Sequence, residues 1–584
     1  MNANPATVST VSTPAVTSQA TTESLATLLH HWAGRQGDEI ALTYLDYRTS
    51  EDGRATFLTW RELDDRVSAV ASRARELAEP GDRAAVLVEQ SADYVVAFLG
   101  AIRAGLVAVP LFAPNLPGHG GRLSAVLADC DPRLALTTAA QLDAVGEVID
   151  PLRTERIAVD LVPTLRPAVA DWPAPHPDDL AYLQYTSGST RTPAGVMLSH
   201  RNVVANARQA CRAYGAVNGL TTTVSWLPLF HDMGLVLGIA APMAAGIGAT
   251  LLDPIAFLQS PGRWLRALSA SPGAISAAPN FAYGYSASRV PAAERNYLEL
   301  SRVVSLINGS EPVLPSTIAQ FQAAFGECGL DPAVHRASYG LAEATVLVSV
   351  TEAGKPSRQV TFDRDRLAEG TAVPGGTGES STLVSCGFAA EQELRIVDPE
   401  TRTERPDGTV GEIWVRGENV GRGYWGAPEK SAETFGLRLA ESGDWLATGD
   451  LGVVFDGELY VTGRRKDLVI VDGRNHYPQD IEQTVETHPA VRRHSAAAFA
   501  IPLDEGEGAV VVLERAKDLA PEEANLATAA EDLRAEVSSR HGLKLVDLVF
   551  LEPGEVPRTS SGKISRSSCR VRYLDGAFAD RRLS

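Results

Sequence analysis

The stretch AAVLVEQSADYVVAFLGAIRAGLVAVPL, residues 84–111, decides the fold class. An apolar run (AAVLVE) leads into a segment with helical periodicity (DYVVAFLGAIRAG) and then a second apolar run (LVAVPLF), a strand–helix–strand pattern that implies a parallel sheet. Similar alternation continues past Leu134 and again from Ala249 through Val304, so a large layered α/β part is expected, with ligands at the carboxyl ends of its strands. Between Lys355 and Leu383 the chain turns polar and Gly-rich and loses its hydrophobic period, which predicts a surface excursion, an insertion at about 355–383. The alternating runs GEIWVRG and GELYVTG that follow predict antiparallel strands and a smaller β subdomain. Near Lys466 a charged connection, GRRKD, precedes a last region whose apolar runs at Ala496–Val511 and Leu545–Leu551 flank a polar helix expected over Pro521–Arg540. At 584 residues the chain is too long for one core. The expected division is a solvated tail over 1–22, an N-terminal domain over 23–464 and a small α+β C-terminal domain over 465–584.

Composition excludes several classes of function. The 44% hydrophobic and 21% charged residues are those of a globular enzyme. Residues 1–22 hold no basic residue and no long apolar run, which argues against a signal or transit peptide. A formal charge of −19 repels nucleic acid and anionic lipid unless a local basic patch overrides it. Five scattered cysteines without metal-ligand spacing suit a reducing cytoplasm and imply no zinc or iron–sulfur centre. Met233–Leu252 is uncharged and long enough to span a bilayer. Gly234, Gly238, Pro242, Gly246 and Gly248 should instead break it into a helix, a turn and a buried strand, so no membrane span is expected.

The run Tyr185-Thr-Ser-Gly-Ser-Thr-Arg-Thr-Pro-Ala-Gly195 combines hydroxyls and glycines after the apolar AYLQY. Thr186, Ser187, Ser189 and Thr190 offer donors, and Gly188 frees the backbone to turn its N–H groups toward a phosphate. It is not a Walker loop, because the glycine spacing differs and no Lys-Ser/Thr follows; on its own, a plain structural loop explains it as well. Lysine usage is a second pointer. Only six lysines occur, at 355, 430, 466, 517, 544 and 563, in a chain that otherwise uses arginine. Lys563 lies in the turn Thr-Ser-Ser-Gly-Lys-Ile, suited to bringing a compact ammonium to an oxyanion.

That loop is followed in order by PLFHDMGL (228–235), NGSEPV (308–313), SYGLAEAT (338–345), WLATGDLG (445–452), GRRKDLVIVDGRNHYPQDIE (463–482) and PRTSSGKISR (557–566). Together these blocks resemble the adenylate-forming superfamily. YTSGSTRTPAGV in place of a lysine-containing phosphate loop, VDGRNHYPQDIE after the hinge and the excursion bearing TFDRDRL resemble, within it, the fatty acyl-AMP ligases, relatives of the acyl-CoA synthetases. The resemblance implies the adenylate-forming enzyme fold, with a mobile C-terminal domain. It implies that Thr186, Ser187, Gly188, Ser189 and Thr190 take the ATP phosphates and that Glu343, with Thr186, holds Mg2+. It sets Ser338, Tyr339 and Gly340 on one side of the adenine and Asn308, Gly309 and Ser310 on the other, with Asp450 and Arg464 at the ribose. Lys563 becomes the catalytic lysine, Lys466 the pivot of the C-terminal domain, and His231, Asp232, Met233 and Gly234 the gate to the acyl channel.

The reaction so implied joins a fatty acid to AMP with release of pyrophosphate, then passes the acyl group to the phosphopantetheine thiol of a carrier protein. No Asp-Ser-Leu attachment motif occurs in the chain, so an acyl carrier protein, or the carrier domain of a synthase, is expected in trans. Two rivals stand beside this reading: an acyl-CoA synthetase using coenzyme A, and a catalytically inactive adenylate-binding protein that keeps the fold.

Overall fold

The computed structural model describes residues 23–115, 120–164, 175–186, 194–375, 379–471, 474–503, 506–517, 526–559 and 563–581. Residues 1–22, expected as a solvated tail, lie outside the described residues, as do Ser187–Thr190 of the phosphate loop and 521–525 of the last predicted helix.

The opening stretch folds as its pattern requires. Strand Arg83–Val86, helix Ala92–Arg103 and strand Val107–Pro110 form a parallel unit with Ala84 opposite Ala108 and Val86 opposite Pro110. All four residues of the second strand are buried, as is nearly all of the helix, which is why the segment is apolar almost throughout. The helix lies on its neighbour Trp60–Arg75, which starts at a Thr59–Glu62 capping box that satisfies two otherwise orphaned N–H groups.

This unit sits in a six-stranded sheet ordered Glu155–Ala158, Leu134–Thr137, Arg83–Val86, Val107–Pro110, Leu180–Tyr185, Gly195–Ser199. Its last pair is antiparallel, and the phosphate-loop segment connects those two strands. A second, nine-stranded sheet has a parallel centre: Ser305–Gly309 runs parallel to both Ala274–Pro279 and His335–Gly340. Rings fill the layer beside it, where Tyr283 stacks on His335 at 4.3 Å and Phe321 meets Tyr283 edge-on at 5.0 Å. Fully burying side chains of this size contributes about 1.5–3 kcal/mol each. The apolar stretch 233–252 becomes helix from Asp232 to Ala245, a left-handed turn at Gly246 and the strand Gly248–Leu252. Among the described residues, no helix is long and apolar enough to cross a membrane.

A smaller antiparallel sheet holds Glu393–Val397, Gly411–Arg416, Ser442–Phe455, Leu437–Leu439 and Glu458–Arg464. The last region packs its helices on a three-stranded sheet of Val491–Pro502, Glu507–Arg515 and Leu545–Leu551. The chain is thus α/β with an α+β C-terminal region.

The structure adds detail to two of the runs read from the sequence. The polar excursion carries paired strands: Gln359–Asp363 pairs antiparallel with Ser380–Val384, a helical turn Arg364–Ala368 lies between them, and Phe362 and Leu367 are buried. Its strands are only five residues long, too short to imprint a period. The apolar run Ala496–Val511 supplies parts of two antiparallel strands, with Ala498 opposite Val511.

Candidate active site

The strand ends of the nine-stranded sheet converge on a cleft of about 550 Å³ lined by Asp232, Met233, Gly309, Ser310, Ser338, Tyr339 and Gly340, with an apolar wall that includes Val236, Leu237, Ala277 and Leu347. Val236–Ala240 of this wall is a π-helical widening of its helix, a distortion often found at functional sites. Two glycines are sterically fixed. A Cβ on Gly340 would fall 1.7 Å from the Val346 carbonyl oxygen, and one on Gly234 would fall 2.1 Å from that of Pro228. Asn308 is not brought to the cleft wall: its buried amide donates to Asn280 Oδ1 at 3.3 Å and lies 3.1 Å from His335 Nε2.

Asp450, on the long strand Ser442–Phe455, is 5% exposed and is held from two sides. Tyr339 donates its hydroxyl to Oδ2 at 2.8 Å, and Arg464 donates Nε to Oδ1 at 3.0 Å. Burial, with the Asp450 charge beside it, pushes the Tyr339 phenol far above its ordinary range, so it remains a donor.

Glu343 stands on a short turn that packing over-determines. The Gly421 N–H donates to its carbonyl at 2.8 Å and Tyr424 donates its hydroxyl to Oε1 at 2.8 Å. Two residues on, buried Thr345 adopts φ 67, ψ −63, a strained backbone held by its own bond to the Asn419 carbonyl at 2.8 Å. Asn202 ties this region to the first sheet, donating to the carbonyls of Glu418 and Val420 at 2.7 and 2.8 Å. A single half-buried carboxylate oriented by a tyrosine is the donor that a hard cation needs when phosphate and water complete its shell. Among the described residues, no group of three or more His, Cys, Asp or Glu gathers as an all-protein metal cage.

His231 Nδ1 and Asp232 Oδ1 are 2.5 Å apart. Burial raises the Asp232 pKa, but His231 and the Lys563 ammonium more than offset it and hold the carboxyl below the ordinary range. His231 also lines a second cavity, of about 390 Å³, with Phe112, Arg122, Tyr185 and Phe230. There Arg122 donates to the carbonyl of Thr186, where the phosphate loop begins, at 2.9 Å. Neither Arg122 nor Tyr424 stood out in the sequence, because neither lies in a chemistry-bearing run.

Lys563 comes from the far end of the chain. Thr559 donates its backbone N–H to the Lys563 carbonyl at 2.7 Å, and Arg558 bridges Ile564, closing the turn that carries the lysine. Burial holds the Lys563 pKa below its ordinary value, while the charges of Glu311, Asp232 and Asp450 raise it and that of Arg464 lowers it, so the ammonium is within electrostatic reach of these groups. Lys466 is exposed in the short turn Arg465–Asp467, just before Leu468.

A family model for AMP-binding enzymes matches residues 29–425, and one for the Disco-interacting protein 2-like AMP domain matches residues 466–581. The long-chain-fatty-acid–AMP ligase FadD32 of Mycolicibacterium smegmatis is 42% identical over 603 residues, covering 95% of this chain and 95% of that protein. The putative fatty-acid–CoA ligase fadD25 of Mycobacterium tuberculosis is 42% identical over 579 residues, covering 95% of this chain and 98% of that protein. A solved structure from structural and functional studies of fatty acyl-adenylate ligases from E. coli and L. pneumophila matches with a TM-score of 0.85 and 32% identity, over 95% of this chain and 98% of that one. With a family model over more than half its length and relatives this similar across nearly all of it, the chain belongs to the AMP-binding enzyme family, among the fatty acyl-AMP ligases.

Proposed function

We propose that the chain activates a fatty acid with ATP, forming acyl-AMP and pyrophosphate, and then passes the acyl group to the phosphopantetheine thiol of a separate carrier protein. The observation that carries this reading is the arrival of Lys563, from the C-terminal region, among Asp232, Asp450 and Arg464 of the cleft. In the first step a carboxylate oxygen of the acid attacks the α-phosphorus, and the bond to the bridging oxygen breaks as pyrophosphate leaves. The Lys563 ammonium lies between acid and nucleotide and stabilises the charge of the pentavalent transition state. Asp450 and Arg464 engage the ribose hydroxyls. Tyr339 and Gly340 flank the adenine opposite Gly309 and Ser310, and Ser338 supports that wall through its bond to the Ser349 carbonyl at 2.8 Å. Thr186 opens the phosphate loop, and Arg122 holds its carbonyl.

Glu343 and Thr186 are the residues that would hold Mg2+. When bound, the ion neutralises the charge of the departing pyrophosphate. The apolar wall beyond Asp232 and Met233 takes the acyl chain. In the second step the thiol sulfur attacks the acyl carbonyl carbon, AMP leaves and the thiol proton passes to solvent. A cytoplasmic setting fits the five buried, unpaired cysteines.

The test is fatty-acid-dependent exchange of pyrophosphate into ATP, run over a series of chain lengths. Lys563→Ala should remove most of that exchange while a supplied acyl-AMP is still consumed; undiminished exchange in the variant refutes the assignment. Coenzyme A is the rival acceptor. Contacts from the polar hairpin to the C-terminal region favour the carrier, since they restrain the domain that has to move. Offering coenzyme A and a holo-carrier protein side by side decides between them.

A further inference from the structure

The apolar wall of the cleft has an inner end, and no residue named above closes it. Gly309, at the mouth, and Ile307 both line the cleft, on one face of the strand Ser305–Gly309, because side chains alternate along a strand. The next position on that face is Ser305. Parallel strand rises about 3.3 Å per residue, so Ser305 lies about 13 Å further in than Gly309.

A second wall is the helix His200–Tyr214. Asn206, Ala210 and Tyr214 recur every four residues and so share one side of it. Asn206 grips the cleft wall at Leu347, donating Nδ2 to its carbonyl at 2.9 Å and accepting its N–H at 3.0 Å. Ala210 and Tyr214 line the cleft itself. Ala277, another lining residue, pairs with Ile307, so small side chains keep the cleft open above the tyrosine.

The last turn of this helix is anchored at the level of Ser305. Arg336, 3% exposed, donates Nη1 to the Ala213 carbonyl at 2.6 Å and to Ser305 Oγ at 3.0 Å, and Nε to the Thr351 carbonyl at 2.9 Å. A guanidinium suits this place, since the last carbonyls of a helix have no partner within it and carry its negative end. Gly215 then turns the chain away with a left-handed backbone at φ 80. Tyr214 is therefore held at the inner end, between the anchored carbonyl of Ala213 and the turn. Beyond it the wall is thin: a Cβ on Gly215 would fall 3.2 Å from Val304, which is 37% exposed.

We propose that Tyr214 is a specificity-determining residue: its ring closes the inner end of the acyl site and sets the longest chain that the enzyme activates. With the carboxylate at the mouth, an acid whose terminal methyl meets the ring is the longest that fits. Each further methylene has to displace the ring, and a smaller residue there opens a way toward Val304 and the surface.

The inference rests on fatty acid adenylation and deepens that reading. Pyrophosphate exchange by the full wild-type chain, with Mg-ATP and saturated acids of increasing length, tests the reading itself, which fails if no acid supports exchange. The same series fixes the limit, the longest acid exchanged at full rate. The decisive quantity is a ratio of kcat/KM values, that for an acid about two carbons past the limit over that for one about four carbons short of it. In Tyr214→Ala this ratio rises by about tenfold or more, since each methylene that an apolar pocket accepts is worth about that factor or more. The ratio does not depend on how much of a variant is correctly folded. Tyr214→Leu, a milder truncation, moves it the same way by less, and Tyr214→Phe, which keeps the ring, holds it within about twofold of wild type. A ratio in Tyr214→Ala equal to that of wild type overturns the proposal, because the floor then lies elsewhere. So does a ratio in Tyr214→Phe raised as far as in Tyr214→Ala, which would trace the limit to the hydroxyl and not to the ring.

Discussion

Tyr339 is 8% exposed and gives its hydroxyl to Asp450, itself 5% exposed. Removing that hydroxyl leaves one oxygen of a buried carboxylate without its donor, which costs on the order of 1–3 kcal/mol. Tyr339→Phe keeps the aromatic face for stacking, so the loss falls on the orientation of Asp450. The expected result is a KM for ATP raised by about tenfold, with a lowered thermal midpoint in the nucleotide-free enzyme; unchanged values of both would remove Asp450 orientation from the account. This pairing was not legible in the sequence. The blocks holding Asp450 and Tyr339 each stood out, but the two residues are 111 positions apart and only the fold brings them together. Asn308 shows the opposite failure. It sits in a telling block, yet strand alternation turns its side chain into the core, toward Asn280 and His335, and the cleft is left to Gly309 and Ser310.

At the scale of elements, apolar strands and helices were legible because burial on both faces writes itself into composition, as in the strand–helix–strand unit at residues 83–110. The polar hairpin at 359–384 was legible only as an interruption, since its strands are short and buried residues such as Phe362 alternate in them with polar ones such as Thr361 and Thr382. Its position gives it consequence. From its helical turn Arg364 donates to the Arg540 carbonyl at 2.9 Å, and Asn475 donates back to the Ala368 carbonyl at 3.1 Å. Arg364 also holds the hairpin's own Ser380 carbonyl at 3.0 Å. Each such bond contributes about 1 kcal/mol. The double variant Arg364→Ala, Asn475→Ala should therefore free the C-terminal region and raise acyl-CoA formation several-fold at fixed coenzyme A, with adenylation little changed. Thioester yield with coenzyme A is the measurement. No gain in that yield would mean the hairpin does not restrain the domain.

For the whole molecule, the proposed reaction asks a single cleft to serve two chemistries, and the lysine proposed for the first feels the charges of Asp232, Asp450 and Arg464 there. The proposed way out is a pivot in the connection at Lys466, and its surroundings fit one. Lys466 is exposed, in a turn of three residues, while the next residue is held: Asp467 accepts from Arg566 at 3.4 Å, and Arg566 also binds Glu482 at 2.6 Å. A pivot here would turn on the few backbone angles just before a held block, as a hinge requires. Proline locks φ near −65°, close to what this helical turn already adopts, but forbids other values. Lys466→Pro should leave the adenylating arrangement accessible and hinder departure from it. Single-turnover measurements of acyl-AMP formation and of acyl transfer to a thiol would then show the second slowed by at least about tenfold more than the first. Some slowing of both steps is expected, because proline also disfavours the helical conformation of the preceding Arg465. What separates a pivot from a strained turn is the asymmetry, and equal slowing of the two half-reactions would place the pivot elsewhere in the chain.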